Sequence, residues 1–439
     1  MNPTIPIVRG PRLVEYTAAT VVFFMMLFGP KTIVGNLDLL GGTCVLAMFV
    51  WGKYLPVVLQ SWAFWLTLVS SAYIVAVLLI NLVSDQWWLL KAPRMIINYV
   101  GVFVMVLWAL RRFGRARVLR MFHNAVLLHA LVVIGIALIP PFGTAVAAFA
   151  GGVTKSSFQI SGLTRGLALT SIVMMFPFVT YPLFAMLEGY RERYIYLKLA
   201  LILWATLYMG RTGFYLCLGA ALAVILVLAL CRLKNVKIAL IGGTFLAVAS
   251  SLLVSYVRDP DASLLGGMPG FSSVALPVAH MFEPLFRFVQ DGVLTAGTVE
   301  QIREMPIVYH NNTLAEKVFG TGLYGRGDEY THLSTDVAYL HMFSAFGFLG
   351  LAIFVAAHFG PMLQYLALWR TPVFWSALLI SVLILIANFK ETALFTRHLF
   401  TVQILFVTWL THDDLVRRAG KAKIAADASF SSTTASFQL

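Results

Sequence analysis

Charged residues are scarce in this chain. Only 12% of its 439 residues are charged, whereas 60% are hydrophobic. A soluble domain covers its surface with about 25% charged residues, roughly twice what this sequence offers. The composition therefore excludes an ordinary soluble domain and favours a membrane protein.

Cysteine and the common nucleotide and metal motifs are also missing or rare. The three cysteines lie in or beside apolar runs and in no long loop: Cys44, Cys217 and Cys231. This distribution excludes a disulfide framework and a zinc-binding spacing. The sequence contains no Walker loop, no dinucleotide fingerprint and no HExxH pattern. ATP-driven, dehydrogenase and zinc-peptidase functions are therefore not indicated.

Apolar runs of 17 or more residues recur along the chain. Each can cross a hydrocarbon core of roughly 30 Å as a helix. Helices are expected because lipid offers the backbone no hydrogen-bond partners. The predicted fold class is all-α, a polytopic membrane protein with twelve spans near residues 13–30, 36–52, 56–83, 94–110, 119–140, 164–187, 194–210, 212–231, 236–257, 336–366, 371–388 and 395–412.

The net charge of +13 is explained by membrane topology. Lys and Arg collect in the cytoplasmic connections of membrane proteins. With the N-terminus in the cytoplasm, nineteen Lys and Arg fall on that side and eight fall in short outer connections. We therefore predict that both termini are cytoplasmic, and we expect no nucleic-acid partner.

One connection is long. Residues 258–335 form a 78-residue segment on the outer side, and connections of this length are usually functional or disordered. The chain then divides into four parts: residues 1–257 with nine spans, the periplasmic loop 258–335, residues 336–412 with three spans, and a cytoplasmic tail 413–439. The tail after about residue 419 is predicted to lack regular structure.

Short helices are predicted inside the long loop. Thr313 and Glu316 have the spacing of a capping box, which opens a helix. Gly320 and Gly322 should end that helix. The loop is therefore expected to be helical.

Cations on the outer side are candidates for substrate contacts, because topology does not require them there. Arg211 lies in the tight turn Gly210–Gly213 and is the strongest candidate. Guanidinium groups match phosphate oxygens, which predicts a phosphate-bearing lipid as ligand. Local ion pairs, such as Arg287 with Glu283, are the simpler alternative. The other charged candidates for substrate binding are Arg165, Arg287, Arg303, Arg326, Lys390, Glu391 and Arg397.

The start of the tenth span carries a second constellation. At helical spacing, one stripe is predicted to contain Asp336, Tyr339, Phe343, Gly347 and Gly350. Asp336 could act there as a general base, with Tyr339 contacting substrate. His332 and His310 are alternative bases. The simpler interpretation is that Asp336 only caps the helix.

These segments together resemble the superfamily of O-antigen polymerases (Wzy-type) and O-antigen ligases. Gly210–Gly213 resembles that family's S-R-T/G segment, and Phe319–Leu323 resembles its F-G-x-G segment. Asp336 to Tyr339 with Gly347–Gly350 resembles its x-x-Y…G-x-x-G segment, and Asn388–Glu391 resembles a lysine-containing hairpin. Asp336 stands where the ligases carry a histidine, which favours a polymerase.

The resemblance implies a GT-C-like membrane glycosyltransferase at the periplasmic face of a bacterial inner membrane. It implies transfer of a growing glycan from undecaprenyl pyrophosphate to a lipid-linked repeat unit, without a metal, nucleotide sugar or other cofactor. A chain-length regulator and a flippase of the same pathway are implied partners. The alternatives are an O-antigen ligase, a flippase for lipid-linked oligosaccharides and a structural membrane subunit.

Overall fold

The computed structural model describes nine stretches of the chain in detail. They are residues 13–29, 39–82, 86–150, 154–156, 159–160, 167–209, 313–322, 338–388 and 396–435, together with the single positions 213, 216, 219, 220 and 224. Predictions for other residues lie outside the described part.

Helices account for all the long elements of the described residues. They are α1 (Leu13–Phe28), α2 (Leu39–Trp51), α3 (Leu55–Val58), α4 (Trp62–Ile80), α5 (Gln86–Phe113), α6 (Arg115–Leu138), α7 (Pro140–Ala150), α8 (Leu167–Glu188), α9 (Ile195–Met209), α10 (Leu314–Phe319), α11 (Ala338–Gln364), α12 (Pro372–Ala387) and α13 (Arg397–Ala435). Two short strands, β1 (Thr154–Ser156) and β2 (Gln159–Ile160), pair antiparallel. The all-α prediction is confirmed for the described residues.

Six helical stretches in the described part are long and apolar enough to cross a membrane. They are Leu39–Val58, Trp62–Ile80, Leu89–Phe113, Arg115–Leu138, Thr170–Glu188 and His341–Gln364. Leu13–Phe28, Ile195–Met209 and Pro372–Ala387 are shorter apolar helices. Large apolar side chains such as Phe49 and Ile80 lie on the outer surface, where lipid can cover them. This is a membrane protein.

Ten of the twelve predicted spans coincide with helices of the structure. The eighth lies largely, and the ninth wholly, outside the described residues. The third span is divided, because α3 and α4 are separated at residues 59–61. The prediction for the tail is wrong, because α13 continues to Ala435. Its end is rich in alanine, the residue with the highest helix propensity.

Ion pairs tie the helices together at one end of the bundle, which we call the basic end. Glu15 in α1 accepts two hydrogen bonds from Arg112 at the end of α5, both of 2.7 Å. Arg115 at the start of α6 pairs with Glu188 at the end of α8, at 2.8 Å, and with Asp413 in α13, at 3.1 Å. The basic end thus joins the starts of α1 and α6 to the ends of α5 and α8.

The start of α4 and the end of α11 also meet at one point. The Gln364 side chain donates to the carbonyl oxygen of Gln60 and accepts from the backbone nitrogen of Trp62, both at 2.9 Å. Tyr365 bonds to Thr411, two residues before Asp413, so this junction belongs to the basic end. The opposite end, which we call the far end, holds the starts of α5, α8, α11 and α13.

Candidate functional site

Helix α11 is interrupted at Gly347, where the backbone takes φ 65° and ψ −174°. A non-helical residue breaks the hydrogen bonds that would cross it, so the preceding carbonyl oxygens need other partners. The predicted stripe from Asp336 to Gly350 assumed a continuous helix. That assumption is wrong at Gly347, where the regular helical periodicity is broken.

Residues of the long loop supply the missing partners. The Thr321 amide donates to the carbonyl oxygen of Ser344 at 2.9 Å, and its hydroxyl donates to the same oxygen at 3.0 Å. The Gly322 amide donates to the carbonyl oxygen of Ala345 at 2.9 Å. The end of the loop therefore caps the first half of α11.

Tyr73 of α4 completes this cap. Its hydroxyl donates to the carbonyl oxygen of Phe346 at 2.9 Å and lies 3.1 Å from that of Phe319. One hydroxyl thus joins three segments that are distant in sequence. Because unpaired carbonyl groups are costly in lipid, this contact stabilises the interruption.

Glycines allow the two segments to approach. Gly320 has φ 83° and Gly347 has φ 65°, a region that favours glycine. A Cβ on Gly320 would lie 2.3 Å from the carbonyl oxygen of Ala345, and one on Gly347 would lie 2.4 Å from that of Val318. Two segments that the sequence analysis singled out separately, residues 319–322 and 347–350, therefore form one packed unit.

Helix α10 leads into this unit. The Thr313 hydroxyl accepts from the Glu316 amide at 3.3 Å, and the Glu316 carboxylate accepts from the Thr313 amide at 2.8 Å. Gly320 ends the helix. The predicted capping box and stop are confirmed.

The start of α11 is fastened to the end of α12. The Tyr339 hydroxyl donates to the carbonyl oxygen of Leu385 at 2.8 Å. The Asn388 amide lies 3.5 Å from the Met342 sulfur. These contacts join two helix ends. The start of α11 follows the predicted candidate Asp336 in sequence, and the end of α12 precedes Lys390 and Glu391.

Of the predicted site residues, only Tyr339 has a described side chain, and it is half-buried. Arg397 is the first residue of α13, and its side chain is not among those that the structure describes. The remaining candidates lie outside the described residues: Arg165, Arg211, Arg287, Arg303, Arg326, His332, Asp336, Lys390 and Glu391.

Buried polar side chains line the far end. Thr170 and Ser171 lie in the first turns of α8 and are fully buried. A Cβ on Gly213 would lie 2.3 Å from the Ser171 Cβ, so the last residue of the predicted turn Gly210–Gly213 packs directly on α8. Asn388 and His398 are also buried. Sequence patterns did not reveal this set, because single Ser, Thr and Asn residues in apolar runs are common.

Two cations at the start of α5 were not singled out from the sequence. Lys91 and Arg94 are half-buried, and their Nζ and Nε atoms are shielded from solvent. Helices α5 and α13 run in the same direction, with the Tyr99 and Phe400 ring centroids 6.3 Å apart. Both cations therefore lie on the far-end side of this contact. In the sequence, they are two of the eight Lys and Arg residues in short outer connections, where topology does not require positive charge.

A separate polar network lies at the basic end. Glu192 is buried and accepts hydrogen bonds from His123 at 2.7 Å, Tyr190 at 2.8 Å and Lys198 at 2.5 Å. His123 also bonds Thr180 at 3.0 Å. Burial alone would raise the pKa of Glu192. The hydrogen bonds and charges of His123 and Lys198 have a larger opposite effect and lower the pKa to about 2. The network ties α6, α8 and α9 together.

No protein-family model and no curated protein matches this chain. The remaining indication of a ligand is the chemistry of the far end. Its described part combines cations, hydroxyl groups and an amide, which are the groups that bind phosphate and sugar.

Proposed function

We propose that this protein is a membrane glycosyltransferase that polymerises O-antigen or a similar polysaccharide. It transfers the growing glycan from undecaprenyl pyrophosphate to a lipid-linked repeat unit. The far end faces the periplasm, and the basic end lies with both termini in the cytoplasm of a bacterial inner membrane. About twelve spans in a GT-C-like arrangement are part of this proposal.

The observation that carries the proposal is the packing of residues 319–322 against the interruption of α11. Both segments are among those that resemble the polymerase and ligase superfamily. They are separated in sequence, since Gly322 and Gly347 are 25 residues apart. Their contact anchors both flanks of residues 323–337, the segment that contains His332 and Asp336. It supports a single site at the far end.

The proposed reaction assigns roles to Asp336, His332 and Arg211. Asp336, or His332 in its place, accepts the proton of the acceptor hydroxyl. The oxygen bonds to the anomeric carbon of the donor sugar, and the bond from that carbon to the pyrophosphate oxygen breaks. Arg211 stabilises the charge that develops on the leaving group.

Further residues bind the two substrates in this proposal. Cations near the membrane surface hold the pyrophosphate, whereas the loop arginines and the polar side chains contact the glycan. The first group contains Arg165, Lys390, Arg397, Lys91 and Arg94; the second contains Arg287, Arg303, Arg326, Glu391 and Tyr339. A flippase and a chain-length regulator of the same pathway are the proposed protein partners.

The test is a gel of the polysaccharide from a strain that lacks the gene. A polymerase mutant leaves a single repeat unit attached, a ligase mutant leaves none, and a flippase mutant traps repeat units on the inner face. Complementation with Arg211→Gln should leave single repeats, whereas Arg370→Gln at the basic end should restore long chains. Wild-type polymer length and yield with Arg211→Gln would contradict the proposal.

A further inference from the structure

Helices α1 and α6 form an open groove on the membrane-facing surface, near the basic end. It has a volume of about 290 Å³ and is lined by Thr17, Thr20, Val21, Asn124, Leu127, Leu128 and Leu131. The groove lies outside the proposed catalytic region. Its occupant is indicated by the order of the side chains along it.

Two arginines lie at the mouth of this groove. Arg117 and Arg120 are exposed and precede Asn124 by seven and four residues, so they share its face of α6. Arg120 and Arg117 act electrostatically on the Tyr16 hydroxyl of α1, as does the Glu192 carboxylate, so all three lie near the contact between α1 and α6. Because Glu192 itself pairs with Lys198, the two arginines leave the mouth with a net positive charge.

The neighbouring arginines of the basic end pair with carboxylates. Arg112 pairs with Glu15, and Arg115 pairs with Glu188 and Asp413. Within the described part of the chain, neither Arg117 nor Arg120 has a carboxylate partner, although Arg120 lies beside the Tyr190 hydroxyl. The mouth can therefore attract an anion.

A polar level follows the arginines. The Asn124 side-chain oxygen accepts from Lys198, at 2.5 Å. Lysine can only donate, so this contact sets the orientation of the amide and leaves its nitrogen as a donor. Thr17 and Thr20 line the groove with Asn124, and their hydroxyls bond to carbonyl oxygens of their own helix. This level suits the ester groups of a lipid.

The inner part of the groove is aliphatic. Val21, Leu128 and Leu131 expose 48%, 41% and 45% of their surfaces. From Arg120 to Leu131 the helix rises about 16 Å, close to half of a hydrocarbon core of roughly 30 Å. The length matches one leaflet.

We infer that this groove binds one glycerophospholipid with an anionic headgroup, from the leaflet at the basic end. The phosphate contacts Arg117 and Arg120, the ester region accepts from Asn124, and an acyl chain lies along Val21, Leu128 and Leu131. The sequence of cation, amide and aliphatic side chains is the order of groups in the lipid. A partner helix would require no such gradient.

The test uses the full-length protein, purified in mild detergent and stripped of lipid. Native mass spectrometry measures binding from an equimolar mixture of phosphatidylglycerol and phosphatidylcholine. Wild-type protein should prefer phosphatidylglycerol, and the preference should fall roughly fivefold for each arginine removed in Arg117→Gln and Arg120→Gln. Arg370→Gln is the matched control and should keep it. Equal binding of both lipids by the wild type would overturn the inference.

A second variant tests the acyl-chain site. Leu128→Trp should fill the groove and reduce binding of both lipids, whereas Leu79→Trp, on the exposed surface of α4, should not. Melting temperatures of the lipid-free variants show whether each one folds. If inorganic phosphate raised the melting temperature of the lipid-free protein as much as phosphatidylglycerol does, the inference would be overturned in favour of a simple anion site. Oxidative cross-linking of Leu128→Cys between copies would overturn it in favour of a dimer contact.

Discussion

The hydroxyl of Tyr73 donates to the carbonyl oxygen of Phe346 at 2.9 Å, across a separation of 273 residues. This bond replaces a helical hydrogen bond that the interruption at Gly347 removes. It explains how a membrane helix can be broken without leaving its backbone unpaired.

Replacing this tyrosine tests the cap. Tyr73→Phe should lower the free energy of unfolding by about 1–2 kcal/mol, because a buried carbonyl loses its donor. Thermal or SDS-induced unfolding of the purified protein measures the change. Tyr194→Phe, at a tyrosine that is 60% exposed, is the control and should leave stability unchanged. Equal stability of the two variants would show that the hydroxyl contributes nothing.

The glycines at the contact should not tolerate a side chain. Gly347→Ala is expected to cost about 2–5 kcal/mol, because the Cβ meets a carbonyl oxygen and the backbone φ is positive. Gly42→Ala is the control, because a Cβ there has nothing within 4 Å. The control should be neutral or slightly stabilising. Unfolding curves of both variants decide this prediction, and a neutral Gly347→Ala would refute it.

Breaking the network at the basic end should destabilise the protein without a direct effect on chemistry. Glu192→Gln leaves Lys198 without its carboxylate and should cost about 3 kcal/mol. Glu316→Gln is the matched control, since glutamine also satisfies a capping box. The free energy of unfolding should change by less than about 0.5 kcal/mol in the control. Comparable losses in the two variants would contradict the importance of the network.

The same network predicts a dependence of stability on pH. The pKa of Glu192 is about 2 in the folded protein, below the value of about 4.3 in an unfolded chain. The network therefore stabilises fully above about pH 5, and this contribution is lost as the pH falls towards 2. Melting temperatures measured from pH 7 to 3 should fall less for Glu192→Gln than for the wild type. Parallel curves would argue against the lowered pKa.

The two half-buried cations of α5, Lys91 and Arg94, should contribute to the proposed reaction. Lys91→Gln and Arg94→Gln are each expected to reduce glycan elongation about tenfold or more, because a preorganised charge at the leaving group is lost. Elongation of lipid-linked repeat units by purified protein measures the effect. Lys53→Gln is the control. The Lys53 ammonium lies over the Tyr54 ring, 5.4 Å from its centroid. Full activity of both α5 variants would show that neither Lys91 nor Arg94 belongs to the site.

The sequence by itself determined the class of protein and most helix positions. Apolar runs long enough for a bilayer produced helices at ten of the predicted spans, because lipid forces each span to satisfy its own backbone. The capping box of Thr313 and Glu316 was also predictable, since it depends on residues only three apart.

Only the tertiary structure decided where α11 is broken. Gly347 in an apolar run is equally compatible with close helix packing, which is how the sequence was interpreted. The break is stable because donors come from Thr321 and Gly322 in the loop and from Tyr73 in α4. No local pattern encodes partners so distant in the chain. The same holds for Lys91 and Arg94, whose shielding depends on neighbouring helices that sequence periodicity does not identify.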